Sequence, residues 1–267
     1  MKMTPSDIWS AVSSIRQKSP VVHNITNYVV MNSTANALLS LGASPVMAHA
    51  AEEVEEMVNI ASALVINIGT LSPHWVKAMF AAARQAKKRN VPVVVDPVGA
   101  GATSYRTRTA RKLIEEAPPA IIRGNASEIM ALLEEEAKTK GVDSIASSAS
   151  ALDCGRRLSR IHGSVVSISG EVDYVIDGDD VTKIMNGHAM MPRVTGLGCT
   201  ASSLSGAFAA VNSSYALAAA EAMAVMGIAG EMAAENARGP GSLQMHFLDA
   251  LYRLSEEDIR RRLKTEG

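Results

Sequence analysis

Little in this sequence suggests a covalent staple, a leader or a nucleic-acid surface. Its 267 residues include two cysteines, Cys154 and Cys199. Neither sits in a CxxC pair and no His-x-x-x-His occurs, so there is no basis for a disulfide framework or a structural zinc site. Aromatic residues make up only 4%, so the core must be built from Ala, Val, Ile, Leu and Met. The net charge is −1 and there is no long basic run; Arg260-Arg261-Arg262 reads as the solvated face of a terminal helix. No nucleic-acid partner is expected. Residues 1–10 lack the basic-then-apolar pattern of a signal peptide. The most apolar region, 207–234, is interrupted by Asn212, Ser213, Ser214, Glu221 and Glu231, and reads as buried helices rather than a membrane span. A cytoplasmic protein with no membrane partner is the expectation. The P-loop pattern GxxxxGK(S/T) and the GxSxG elbow are both absent, which removes the common mononucleotide-loop and hydrolase readings.

What is present is ordinary globular material, 47% hydrophobic and 20% charged, of a length that fits one α/β domain over residues 1–267. Ile8, Val12 and Ile15 mark one face of a helix over 6–18. A strand begins at Val21-Val22, a helix over 29–41 stops at Gly42, and 45–47 make a short strand. Residues 52–59 read as helix. The run 63–67 is continuously apolar rather than alternating, which suggests a strand covered on both faces. Ser72-Pro73 opens a helix to 90. Residues 91–96 form the clearest buried strand, followed by a helix over 106–117, a strand over 120–123 and a helix from near Ser127. A helix over 148–161 and a strand over 164–169 come next, then a hairpin over 173–176 and 181–185 turning at Asp177-Gly178-Asp179-Asp180. The last third is predicted helical apart from Gly239-Pro240-Gly241. Alternating strands and helices imply a mostly parallel sheet with helices on both faces, and the hairpin adds antiparallel strands at one edge.

Chemistry in such sheets gathers beyond the carboxyl ends of the strands. Four strand ends carry polar or glycine-rich sequence: 23–27, 67–70, 96–101 and 123–128. Asp96 follows three valines and precedes a proline; its carboxylate can serve Mg²⁺, directly or through water, or cap a turn. Glu128 near a helix start stabilises the helix dipole in any case. With Arg123 before it, the pair becomes a phosphate contact and a carboxylate acting on Mg²⁺ through water. Arg193-Val-Thr-Gly-Leu-Gly-Cys-Thr-Ala201 places two glycines, a thiol and a hydroxyl at a predicted helix start. It reads either as a tight turn capping a buried helix or as a cradle of backbone N–H groups for a transferring phosphoryl group. Gly196-x-Gly198-x-x-Ala201 also matches the loose dinucleotide fingerprint. It follows Pro192-Arg193 rather than a strand, so a nicotinamide-cofactor site is rejected.

Taken together and in order, His23-Asn-Ile-Thr-Asn27, Asp96-Pro-Val-Gly-Ala-Gly101, Arg123-Gly-Asn-Ala-Ser-Glu128 and Val194-Thr-Gly-Leu-Gly-Cys199 resemble hydroxyethylthiazole kinases of thiamine salvage. The resemblance implies a ribokinase-like fold and transfer of the ATP γ-phosphate to the primary alcohol of 4-methyl-5-(2-hydroxyethyl)thiazole, with Mg²⁺. It further implies a homotrimer with the thiazole site near subunit contacts. By position, Met47 and Gly196 would contact the thiazole, and Asn24, Thr26 and Asn27 would shape its pocket. Arg123 and Ser169 would contact ATP, and Asp96 and Glu128 would serve the metal. Gly196, Gly198 and Cys199 would form the catalytic turn. The chain departs from the common TGTGC form by carrying Leu197, which removes a hydroxyl and leaves the backbone donors. Related sugar kinases carry Asp at the place of Cys199. A helix start could lower the thiol pKa towards thiolate, whereas phosphates would oppose it. We expect Cys199 to be a weak base or a positioning group. Neighbouring readings are a hydroxymethylpyrimidine or pyridoxal kinase, an ATP-dependent dehydratase of hydrated nicotinamide cofactors, and a non-catalytic thiazole or nucleotide sensor.

Overall fold

The computed structural model describes residues 3–133 and 148–267. Its centre is a nine-stranded sheet in the order β2-β1-β3-β4-β5-β6-β7-β8-β9. The strands are β1 (Val21–Ile25), β2 (Ser44–Val46), β3 (Ala63–Asn67), β4 (Val93–Asp96), β5 (Ile121–Asn125), β6 (Val165–Ser169), β7 (Asp173–Asp177), β8 (Asp180–Ile184) and β9 (Thr265–Glu266). Strands β2 to β6 pair in parallel, and β6 to β9 pair antiparallel. The expected mixed sheet with an antiparallel edge is therefore present.

Helices cover both faces. On one lie α1 (Pro5–Lys18), α2 (Met31–Leu41), α8 (Leu197–Ala209), α9 (Tyr215–Ala234), α10 (Pro240–Arg253) and α11 (Glu256–Arg262). On the other lie α3 (Val54–Ile60), α4 (Pro73–Arg89), α5 (Ser104–Glu116), α6 (Ala126–Ala131) and α7 (Ser148–His162). Each face has its own apolar cluster, and successive strand residues feed them in turn: Val65 and Val94 join the first, while Leu64, Ile66, Val93 and Val95 join the second. Two-sided burial explains the unbroken apolar runs of β3 and β4.

Helix α8 crosses the parallel strands closely because its sequence is small. A Cβ added at Gly206 would stand 2.6 Å from Val65 Cγ2 and 3.2 Å from Val22 Cγ1, an overlap costing about 1–3 kcal/mol to relieve. Among the described residues, α9 alone is long and apolar enough to cross a membrane, and 83% of its most apolar window is buried inside this fold.

Several predicted boundaries shift for local reasons. The strand expected from residue 91 starts at Val93, because the Val91 N–H still donates to the Ala86 carbonyl at the end of α4 (3.0 Å). Strand β5 extends past Arg123 because Gly124 and Asn125 pair with Ile168 and Ser169. β2 ends at Val46, so Met47 begins a loop. The expectation that the last third is helical apart from residues 239–241 is corrected twice, by a 3₁₀ turn at Met191–Arg193 and by β9, which pairs with Lys183 and Ile184 of β8. Two residues carry no periodicity to be read.

Candidate active site

Strand alternation places the polar strand ends together. Residues of one parity on a strand share a face. Asn67 shares parity with Val65, Asp96 with Val94 and Arg123 with Ile121, and all three partners pack in the cluster on the α8 side. Asn67 and Asp96 are direct neighbours in the β3–β4 register. The reversal of strand order lies between β1 and β3, the place where ligands collect in open α/β sheets.

Asp96 is 2% exposed. Its Oδ2 accepts hydrogen bonds from Asn67 Nδ2 and Ser202 Oγ, each at 2.7 Å. Burial pushes its pKa up to about 6, against the pull of Arg123 and of the Ser202 hydroxyl; nearby Glu128 adds to the rise. Burial alone disfavours the charge; a cation and two donors recover enough of it that the carboxyl is mostly ionised at neutral pH.

Helix α8 begins beside it. Gly196 is the N-cap at φ +85°, and a Cβ there would meet Val30 Cγ1 at 2.6 Å, so both backbone conformation and space demand glycine. The first intrahelical bond runs from Thr200 N–H to the Gly196 carbonyl (2.8 Å). The amides of Leu197, Gly198 and Cys199 therefore precede the helical ladder and are donors without an intrahelical acceptor. Arg123 lies next to this end: a Cβ on Gly198 would be 3.9 Å from its Nη1. Arg123 is 6% exposed, its Nη1 reaches Ser202 Oγ at 3.4 Å, and its buried Nε has no partner. A buried guanidinium with an unused donor, beside free amides, is a site for an oxyanion.

Cys199 bears on an alternative that the sequence leaves open. Its thiol pKa is raised, not lowered, first by burial and then by Asp96; the nearby amides of Asn67 and Asn27 and the charge of Arg123 only partly offset this. A thiol raised above its ordinary value keeps its proton at neutral pH. Its Sγ accepts a hydrogen bond from Asn27 Nδ2 at 3.4 Å.

Glu128 is tied locally. Its Oε1 accepts from the Gly99 N–H at 2.8 Å and its Oε2 from the Asn125 N–H at 2.9 Å, completing a capping box on α6. Among the described residues no group of three or more His, Cys, Asp or Glu side chains could hold a metal. Two carboxylates beside an oxyanion site nevertheless fit Mg²⁺, which commonly keeps waters and takes substrate phosphate oxygens with one or two carboxylates.

Ser169 ends β6 and lies within 3.5 Å of the Gly124 carbonyl. A cavity of about 270 Å³ opens beside it, lined also by Ala126, Ala151, Leu152 and Gly170. Met47 follows the edge strand and is half-buried. Thr26 and Asn27 are buried at the end of β1. Asn24 is brought elsewhere: it is fully buried between β1 and α8, where Ser203 Oγ donates to its Oδ1 at 2.7 Å, so it acts on any pocket only through the packing of α8. His23 Nε2 lies 2.8 Å from the Ala48 carbonyl and holds the Met47 loop.

Two contributors carried no motif. Ser202 looks like core filler in a small-residue helix, yet it joins Asp96 to Arg123. Arg106 donates to the carbonyls of Ile68 (2.9 Å), Val98 (2.8 Å) and Gly69 (2.9 Å), clasping the loops after β3 and β4. In sequence, each was one residue among many of its type, with partners far away along the chain.

A parallel α/β sheet that holds a buried carboxylate, a buried arginine and free helix-start amides beyond the ends of its central strands defines a phosphotransferase-type site. The sequence model of the hydroxyethylthiazole kinase family (HK) matches residues 12–257. The protein named hydroxyethylthiazole kinase from Syntrophus aciditrophicus is 67% identical over 99% of this chain and 98% of its own length. The solved structure of the hydroxyethylthiazole kinase protein from Pyrococcus horikoshii shares 44% identity over 98% of each chain, with a TM-score of 0.90. A ribokinase-like superfamily protein from Enterococcus faecalis, 14% identical, covers 95% of this chain and 96% of its own at a TM-score of 0.65 and shows the shared fold. The fold is ribokinase-like, and the chain belongs to the hydroxyethylthiazole kinase family.

Proposed function

We infer that this protein transfers the γ-phosphate of ATP to the primary alcohol of 4-methyl-5-(2-hydroxyethyl)thiazole, giving thiazole phosphate and ADP for thiamine salvage. Family membership gives the kinase activity. The observation that carries the site assignment is the buried Arg123, with its partnerless Nε, set against the free amides at the start of α8.

Phosphoryl transfer asks for positioning and charge neutralisation more than covalent help. The amides of Leu197, Gly198 and Cys199 and the Arg123 guanidinium would meet the charge on the transferring group. Asp96, with Glu128 acting through water, would hold Mg²⁺, which supplies charge neutralisation at the phosphates when bound. Ser169 and the adjoining cavity would take the nucleotide. Met47, Gly196, Thr26 and Asn27 would seat the thiazole alcohol, with Asn24 supporting them from beneath. Because its thiol stays protonated, Cys199 orients the alcohol rather than deprotonating it, and a loose transition state needs little early proton removal. We read residues 1–267 as one soluble, cytoplasmic domain that assembles as a homotrimer. Tyr28 and Val29, beside Asn27, are 63% and 69% exposed and would suit a subunit contact near the thiazole.

The reaction is tested by mass spectrometry of purified protein with ATP, Mg²⁺ and the hydroxyethylthiazole, with hydroxymethylpyrimidine and pyridoxal in parallel. Thiazole phosphate and ADP, both missing with Asp96→Ala, are expected. Phosphorylation of another alcohol alone would reject the substrate, and no turnover on any would favour a binding protein.

A further inference from the structure

Asn67 ends β3 and is 1% exposed, in a strand otherwise made of apolar residues. An amide so placed is unfavourable unless its groups are bonded, and both ends of this one are. Nδ2 donates to Asp96 Oδ2 at 2.7 Å; Oδ1 accepts from the Gly69 N–H and from Asn27 Nδ2, each at 2.9 Å. A main-chain N–H can only donate, so Gly69 fixes which end of Asn67 is oxygen. The same logic holds one residue further out. Asn27 Oδ1 accepts from the Val29 N–H at 3.1 Å, so its Nδ2 must face Asn67 and the Cys199 sulfur. Two backbone donors thus set the polarity of the whole chain of bonds, and none of its members is a rotatable hydroxyl or an ambiguous imidazole. The outcome at one end is a donor aimed at Asp96, and at the other a donor aimed at Cys199.

We propose that Asn67 is a positioning residue for phosphoryl transfer: the Asn27–Asn67 amide pair holds the Asp96 carboxylate and the Cys199 side chain in one fixed relation, so that the phosphate side and the alcohol side of the site are set together. This rests on reading the site as a kinase. It goes beyond that reading because it assigns a function to a residue whose amide is already engaged by Asp96, Asn27 and Gly69. Ser202 donates to the same Asp96 oxygen from α8, so β3 and α8 both orient one carboxylate, and neither of these bonds uses Oδ1. Asp at residue 67 would keep the shape of Asn and replace the donor with a like charge against Asp96. It should therefore do more harm than Ala, the reverse of what volume predicts.

The test uses the full-length protein carrying Asn67→Ala, Asn67→Asp, Asn27→Ala and the Asn27→Ala/Asn67→Ala pair. In Asn67→Ala, kcat should fall about 10–100-fold while KM for the thiazole alcohol stays within about threefold. Asn67→Asp, compared under conditions where it is shown to be folded, should fall further. At saturating alcohol, where the separate part of Asn27 in seating the thiazole does not enter, the kcat of the double variant should be no worse than about threefold below that of Asn67→Ala, because the two amides act as one unit. Affinity for Mn²⁺ in the presence of ADP, followed by electron paramagnetic resonance, should drop about tenfold in Asn67→Ala. Additive losses in the cycle, or a folded Asn67→Asp with wild-type kcat, would overturn the proposal. If the Asn67 variants do not fold, Asn27→Ala decides through the metal, because Asn27 also seats the alcohol: weaker Mn²⁺ binding supports the relay, and wild-type Mn²⁺ binding overturns it whatever the kcat. A wild-type protein inert towards the alcohol would instead sink the kinase reading. The Mn²⁺ arm would still report on Asp96.

Discussion

Two buried carboxyls show how different the two regions of this molecule are. Asp96 lies at the strand ends and Glu221 lies within the layer of helices, and they are 2% and 1% exposed. Burial pushes both pKa values up, to about 6 for Asp96 and about 8 for Glu221. The difference comes from their neighbours. Asp96 has Arg123, Ser202 and Asn67. Glu221 has one donor, Asn212 Nδ2 at 2.8 Å, a partnerless Oε1, and the unfavourable charge of Asp7. At neutral pH the first is mostly ionised and the second mostly protonated. Desolvation sets the starting point, and a cation with several aimed donors decides whether a charge survives. A charge kept inside the protein marks the reacting region; a neutralised carboxyl marks the packed one.

Several changes would break or sharpen that contrast. Asp96→Asn keeps the shape and removes the charge; kcat should fall on the order of 10³-fold, measured by coupled ADP release at an unchanged melting temperature. Arg123→Gln removes the cation that keeps Asp96 ionised and that faces the oxyanion site, and should lower kcat on the order of 10²-fold, with Arg123→Lys only partly restoring it because the fork is lost.

Glu221 should affect stability and leave turnover alone. Its folded pKa lies above its ordinary value of 4.5, so the native state binds the extra proton. Stability from this group is fully present below pH 4.5 and is lost as pH rises towards about 8. Denaturant melts of Glu221→Gln across that window should lose this slope and gain on the order of a few kcal/mol at the alkaline end. Equal slopes in the two proteins would show that Glu221 is not protonated in the fold.

The smallest effect is expected at Cys199. With the thiol protonated, Cys199→Asp should keep or raise turnover. A loss of about a hundredfold with substrate binding intact would make the thiol essential to the chemistry.

Much of this was legible in the sequence. Val93–Asp96 announces a buried strand ending in an acid, and Gly196 with Gly198 announces a helix start built for close approach. The family resemblance placed Arg123 and Glu128 beside them. What escaped were pairings that depend on register. Asn67 matters because β3 and β4 align it with Asp96, and Ser202 because α8 brings it 2.7 Å from the same carboxylate, 106 residues away in sequence. The thiolate option for Cys199 could not be judged from a helix start alone, since the burial and the nearby Asp96 that raise its pKa depend on the fold.

The most direct test of the central claim, that an ionised Asp96 with Arg123 and the start of α8 forms the phosphoryl-transfer centre, is rapid-quench measurement of thiazole phosphate. Wild-type protein and Asp96→Asn would be compared at saturating ATP, Mg²⁺ and thiazole alcohol. We predict product in the first turnover of the wild type and a rate on the order of 10³-fold lower in the variant, with both proteins equally folded. A variant within tenfold of wild type would contradict the account.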